Sequence, residues 1–195
     1  MGSPGKAELK AGANPLFLRE EELRRGLESL FYAYRAFTAE PDRILAEIGF
    51  GRAHHRAIYF IGRYPGITVS ELLQILGITK QSLSRVLGQM VDQGYVAQAR
   101  GTRDQRQRLL TLTDKGRALE QRLTSSQCRL FAAAYKTAGA EAVAGFRTVL
   151  AGIMEEVDRA RMEEEHGGGE GEERPADANS AHTAFPNASA PRDPV

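Results

Sequence analysis

The segment that most restricts the fold is residues 68–113, where two short apolar helices, a tight turn and a hairpin follow one another with little slack. Thr68-Val-Ser-Glu71 is a capping box, in which the threonine caps a helix and the glutamate reaches back to it. Leu72, Leu73, Ile75 and Leu76 then predict a short apolar helix closed by Gly77. Thr79 is the next N-cap. Leu83, Val86, Leu87, Met90 and Val91 follow it at helical spacing as one continuous stripe. Helices joined by so short a turn cross steeply, and the second projects its polar face outward.

That outer face carries Lys80, Gln81, Ser82, Ser84, Arg85 and Gln89, with no carboxylate before Asp92. These side-chain types suit base edges and phosphates in a major groove. Gly94 ends the helix; residues 95–100 read as a strand, 101–106 as a tight basic loop and 107–112 as the returning strand. Between positions 79 and 108 there are six Lys or Arg and two Asp, a local charge of +4 in a chain of net charge +1. Positive charge concentrated in this way is the footprint of a nucleic-acid surface. A solvated helix beside a basic hairpin is the plainer alternative. It leaves unexplained why the short turn, the carboxylate-poor face and the arginines at the hairpin tip occur together.

The run Ile67-Thr-Val-Ser-Glu-Leu-Leu-Gln-Ile-Leu-Gly-Ile-Thr-Lys-Gln-Ser-Leu-Ser-Arg-Val-Leu87, then Gly94-Tyr-Val96, Asp104-Gln-Arg106 and Leu112-Thr-Asp-Lys-Gly116, resembles the MarR family of dimeric transcriptional regulators over about residues 20–160. The resemblance implies a mainly α fold with a small β-hairpin wing: a winged helix-turn-helix plus a dimerisation region built from N- and C-terminal helices. It implies a sequence-specific DNA-binding homodimer, a ligand-responsive repressor on a pseudo-palindromic operator. Carried over position by position, the contact set is Thr79, Lys80, Gln81, Ser82, Ser84 and Arg85. Gln81 and Arg85 can make bidentate bonds and are the expected base readers, with Ser70 and Ser82 on phosphate. In the wing, the resemblance implies that Asp104 holds Arg106 while Arg103 at the tip enters the minor groove. Gln105 stands where most relatives have a second arginine, which leaves the wing's phosphate contacts open. The effector, expected to be small and anionic or aromatic, is assigned to a cleft lined by Phe31, Tyr34, Arg35, His55 and Tyr59.

Around this centre the chain divides into a flexible N-terminus (1–14), an N-terminal dimerisation region (15–50), the winged helix-turn-helix (51–112), C-terminal dimerisation helices (113–163) and a disordered acidic, Pro/Ala-rich tail (164–195). Asn14-Pro15 opens a long helix marked by Leu23, Leu27, Leu30, Phe31 and Tyr34, expected to end before Pro41. Ile44, Leu45 and Ile48 read as a separate short piece stopped by Gly49 and Gly51, and Ala53, Ala57, Ile58, Ile61 and Tyr64 as a helix closed by Pro65-Gly66. After the wing, Thr113 caps a helix continued by Leu119, Leu123, Leu130 and Phe131 and broken at Gly139. Val143, Phe146, Leu150, Ile153 and Val157 form a heptad-like seam. The first and last helices expose more apolar surface than a small winged helix covers, so a second copy of the chain is the expected partner.

Other classes are disfavoured. No apolar run approaches 18 residues and the N-terminus is not charged-then-apolar, so neither a membrane span nor a secretory signal is expected. One cysteine fits a reducing cytoplasm. No nucleophile triad, P-loop, zinc-ligand spacing or dinucleotide loop is present, so no enzyme activity, cofactor or metal is expected. His54 and His55 read as partly exposed histidines at a helix start, with a sensor of pH, metal or anion as the alternative. Cys128 reads as a small buried filler, with oxidant sensing as the alternative. Two other functions remain: a winged-helix protein-interaction module and a DNA-binding regulator without an effector.

Overall fold

The computed structural model describes residues 16–101 and 105–167, with side chains to residue 163. The Asn14-Pro15 helix start, the wing-tip residues Arg103 and Asp104 and the tail from residue 168 lie outside the described residues. A 3-10 turn, Leu16–Leu18, leads into α1 (Glu20–Ala46) and α2 (Arg52–Arg63). The helix-turn-helix follows as β1 (Ile67–Thr68), α3 (Val69–Leu76) and α4 (Lys80–Asp92). Next come β2 (Val96–Arg100), β3 (Arg108–Leu112), α5 (Asp114–Ile153) and α6 (Glu156–Gly167).

The caps form where the sequence puts them. Glu71 N–H donates to Thr68 Oγ1 (3.1 Å) and Thr68 N–H donates to Glu71 Oε2 (2.8 Å), closing the capping box of α3. Ser82 N–H donates to Thr79 Oγ1 at 3.2 Å, capping α4. Between them Gly77 takes a left-handed conformation (φ 59°), open to glycine without steric cost, and this lets two helices meet across so short a turn. After β3, Thr113 fastens α5. Its N–H donates to Tyr95 O (3.1 Å), its hydroxyl donates to Gly94 O (2.7 Å), and Gly116 N–H donates back to its Oγ1 (3.1 Å). A Cβ on Gly116 would lie 2.0 Å from the Tyr95 carbonyl oxygen, so no other residue fits in Leu112-Thr-Asp-Lys-Gly116 without shifting the backbone.

One core serves α2, α3, α4 and the sheet: Ala57, Ile58 and Ile61 of α2 meet Leu72, Leu76, Leu83, Val86, Leu87 and Met90, with Leu110 and Leu112 of β3. At the margins Ile44, Leu45 and Phe50 extend it toward α1, and Leu119 and Leu123 toward α5. The wing has three antiparallel strands in the order β1-β3-β2. The expected hairpin is therefore joined by Ile67–Thr68, paired with Leu110 and Leu109, a strand of two residues that is too short to show alternation. β2 begins one residue later than expected because Tyr95 N–H closes back on Met90 O (2.8 Å) at the end of α4.

The expected break before Pro41 is absent: α1 runs through it to Ala46 as a single 27-residue helix that includes Ile44 and Leu45. A proline inside a helix removes one N–H bond to the carbonyl four residues back and crowds it, at a cost of about 3 kcal/mol. Here that carbonyl belongs to Phe37, and Gln127 Nε2 of α5 donates to it at 3.4 Å. The proline ring is fully buried and Thr38, Ile44 and Leu45 are buried beside it, so packing and a replacement donor offset the loss. Gly139 does leave the helical region inside α5, as expected. The heptad seam stops at Ile153. Met154 and Glu155 interrupt the helix, and Val157 stands on α6, which runs to Gly167, into the stretch read as tail.

Candidate nucleic-acid interface

Burial of Leu83, Val86, Leu87 and Met90 fixes which side of α4 faces out. On that side Thr79, Lys80, Gln81, Ser84 and Arg85 are exposed and Ser82 is half-buried, its Oγ accepting from the Thr79 hydroxyl at 2.9 Å. Lys80, Gln81, Ser82, Ser84 and Arg85 together line an open hollow of about 840 Å³. The first turn of α4 holds no acidic residue, so nothing in that turn competes with an incoming anion. Ser70 is exposed in the first turn of α3.

Arg106 is exposed in the turn that enters β3; the expected Asp104–Arg106 pair and the tip residue Arg103 lie outside the described residues. The strands add a feature that the sequence did not reveal. Arg100 and Arg108 are register partners at the open end of the ladder, and both are exposed. Like charges directly opposite on a sheet destabilise it unless an anion lies between them. Recognising the pair requires the strand register, which linear spacing does not supply.

Gln89 is exposed like the outward set, but its side chain is engaged at its other edge. Its Oε1 lies 2.7 Å from His54 Nε2, and His54 Nδ1 accepts the Gly51 N–H at 3.1 Å. His54 is buried, contrary to the expectation of a partly exposed residue, because its ring caps α2 and stacks on Phe50 (centroids 4.4 Å apart, planes 6° from parallel). Phe50 in turn meets Tyr95 edge-on at 5.2 Å, and Lys115 Nζ sits 4.2 Å over the Tyr95 ring.

Of the expected effector residues, Phe31, Tyr34, Arg35 and Tyr59 are exposed and His55 is half-buried. The structure connects two of them. Arg52 lies over the Tyr34 ring (5.3 Å) and is paired with Asp42 at 2.9 Å, and Asp42, Gln127 and Glu120 act on His55. Burial lowers the His55 pKa below its ordinary value, opposed by Asp42, by a hydrogen bond with Gln127 and by Glu120. Arg35 lies instead over Tyr32 (5.1 Å). Sequence reasoning missed Arg52 and Asp42, whose pairing depends on the α1–α2 corner. Cys128 is exposed on α5, not buried, since the apolar neighbours that suggested a filler, Leu130 and Phe131, are themselves exposed. Among the described residues no cluster of His, Cys, Asp or Glu could hold a metal.

Residues 48–107 match the sequence profile of the MarR family. Over 154 residues the chain is 53% identical to the HTH-type transcriptional regulator PetP of Rhodobacter capsulatus, covering 79% of this chain and 89% of that protein. The chain belongs to the MarR family. Solved members share its fold. Streptococcus pneumoniae FabT, in complex with DNA, aligns with a TM-score of 0.61 at 20% identity, over 69% of this chain and 94% of that one. A mutant MarR from E. coli, complexed with operator DNA, aligns with a TM-score of 0.54 at 21% identity, over 73% and 100%. Members of the MarR family are transcriptional regulators, not enzymes, and the chain is one of them. No described helix is long and apolar enough to cross a membrane.

Proposed function

We propose that the chain is a cytoplasmic homodimer that binds a pseudo-palindromic DNA site through α4 and the wing and responds to a small anionic or aromatic effector. The observation that carries the DNA reading is the gathering of Lys80, Gln81, Ser82, Ser84 and Arg85 around one open hollow on a face free of carboxylates. The opposed Arg100 and Arg108, for which no acidic partner stands among the described residues, support it. Gln81 and Arg85 read base edges; Ser70, Thr79, Lys80, Ser82 and Ser84 hold the backbone. The wing contributes Arg106, held by Asp104, with Arg103 entering the minor groove. Two copies related by a two-fold axis put their α4 helices in major grooves about one DNA turn apart.

The homodimer reading rests on the apolar residues left exposed on the single chain, Leu23, Leu27 and Leu30 on α1 and Leu130 and Phe131 on α5 among them. The effector reading rests on the Tyr34–Arg52–Asp42 cluster beside His55, with Phe31, Arg35 and Tyr59 as outlying candidates. Such a ligand changes DNA affinity only by binding one arrangement of the dimer better than another. Selection of duplexes by the full chain from a random-sequence pool, followed by footprinting, tests the reading. Enrichment of a two-fold related sequence with half-sites about 10 base pairs apart is expected. A pool that stays random would remove the sequence-reading role in favour of a protein-interaction module. An enriched single half-site would remove the dimer.

A further inference from the structure

α4 shares one apolar core with α2, to which it brings Leu83, Val86 and Met90, and such apolar contacts have little directional preference. A hydrogen bond does have one. His54 Nδ1 accepts the Gly51 N–H, so the ring's proton is on Nε2, which donates to Gln89 Oε1 at 2.7 Å. Gln89 is four residues beyond Arg85 and eight beyond Gln81, so the three side chains form one row along α4 on successive turns. A bond that fixes Gln89 thus sets the rotation of the row holding both proposed base readers.

We propose that His54 is a positioning residue for DNA reading: its neutral imidazole, capped on Gly51 and stacked on Phe50, locks α4 in the orientation that presents Gln81 and Arg85, and its protonation releases that lock. The inference rests on the DNA reading above. A doubly protonated imidazole has two donors and no acceptor, so the Gly51 N–H loses its partner and faces a second N–H. The ring's described partners, Phe50, Gly51 and Gln89, do not titrate. Farther along the stack stand Tyr95 and Lys115, and Lys115 also donates to Gln93 O at 2.8 Å. On α2, Arg52 is paired with Asp42 and Arg56 donates to Leu76 O at 3.4 Å. On α4, Arg85 and Asp92, about a turn either side of Gln89, are exposed.

The test measures preference, the affinity for the selected duplex divided by that for a scrambled one, between about pH 8 and about pH 5.5. Wild-type preference is expected to fall about tenfold on acidification, the effect of losing one hydrogen bond. His54→Gln places a capping-box residue at the same position; its amide accepts from Gly51 without titrating, so its preference is expected to be flat with pH. Gln89→Met keeps the length and removes the acceptor, and its preference is expected to be low at both pH values. A wild type with no preference at about pH 8 overturns the DNA reading and this inference together. If the wild type discriminates but is flat with pH, or His54→Gln titrates as the wild type does, the positioning role alone is overturned. Full preference in Gln89→Met does the same. His55 is retained in every variant and so cannot account for a difference between them.

Discussion

In the region from α2 to β3, Ile58, Ile61, Leu72, Leu83, Met90 and Leu110 have essentially no exposed surface. At the two flanks the pattern reverses: Leu27 is 57% exposed and Phe31 70% exposed on α1, and Leu130 and Phe131 are exposed on α5. Both regions carry apolar residues at helical spacing; only the first closes over them. The flanks do touch each other where Phe37 of α1 meets Phe131 edge-on at 5.7 Å, and Phe131 in turn approaches Tyr135 and Phe146. The winged helix therefore has the core of a self-sufficient domain, whereas the ends of α1 and α5 have faces suited to another surface. Helical periodicity reports that a stripe will be buried; it does not report against what.

Substitutions can break or sharpen that contrast. The largest effect on folding is expected from Leu83→Ala, which leaves a cavity in the closed core and should cost about 2–5 kcal/mol in urea unfolding. Leu27→Lys should keep the helical circular dichroism spectrum and instead weaken self-association by about 2 kcal/mol or more in sedimentation. Unfolding by Leu27→Lys, or an unchanged association constant, would remove the division of labour between core and flanks. Arg85→Ala should lower affinity for the selected duplex by about 1–3 kcal/mol, with much less effect on scrambled DNA. Equal losses on both would make Arg85 a phosphate contact. Thr79→Ala removes the α4 cap and should cost about 1 kcal/mol of stability.

The smallest expected effect concerns pH. The His55 pKa is lowered in the folded chain, so above the ordinary histidine value of about 6.5 both states are neutral and it contributes nothing. Below that value the unfolded state binds the proton first, so stability is lost as pH falls. His55→Gln should flatten this part of the stability profile, as read by denaturant midpoints; an unchanged acid slope would show that another group governs it.

What the sequence disclosed were features whose causes are local. Thr68 with Glu71, Thr79 with Ser82, and Thr113 with Gly116 each act within one helical turn, and all three form as read. The misreadings concern residues whose partners are distant. Pro41 looks like a helix breaker until Gln127, from α5, is seen to serve the carbonyl it frees. Gln89 looks like one more polar residue of the outer face and His54 like a partly exposed helix-start residue until α2 and α4 bring them together. Cys128 looks like filler until Leu130 and Phe131, the apolar residues beside it, are seen to be exposed as well. On the candidate site, α4 was legible because one helix carries it. Of the residues expected to line an effector cleft, only Tyr34 and His55 are linked, through the Arg52–Asp42 pair across the α1–α2 corner that linear spacing does not supply.

The central claim is that the α4 face reads DNA sequence with support from a basic wing. It is tested most directly by titrating salt against the affinity of the full chain for the selected duplex and for a scrambled duplex of equal length. The account predicts a steep log–log dependence of several units on the selected duplex, with a preference of at least about a thousandfold at physiological salt. A shallow slope without preference would contradict it and assign the polar face of α4 to a protein partner.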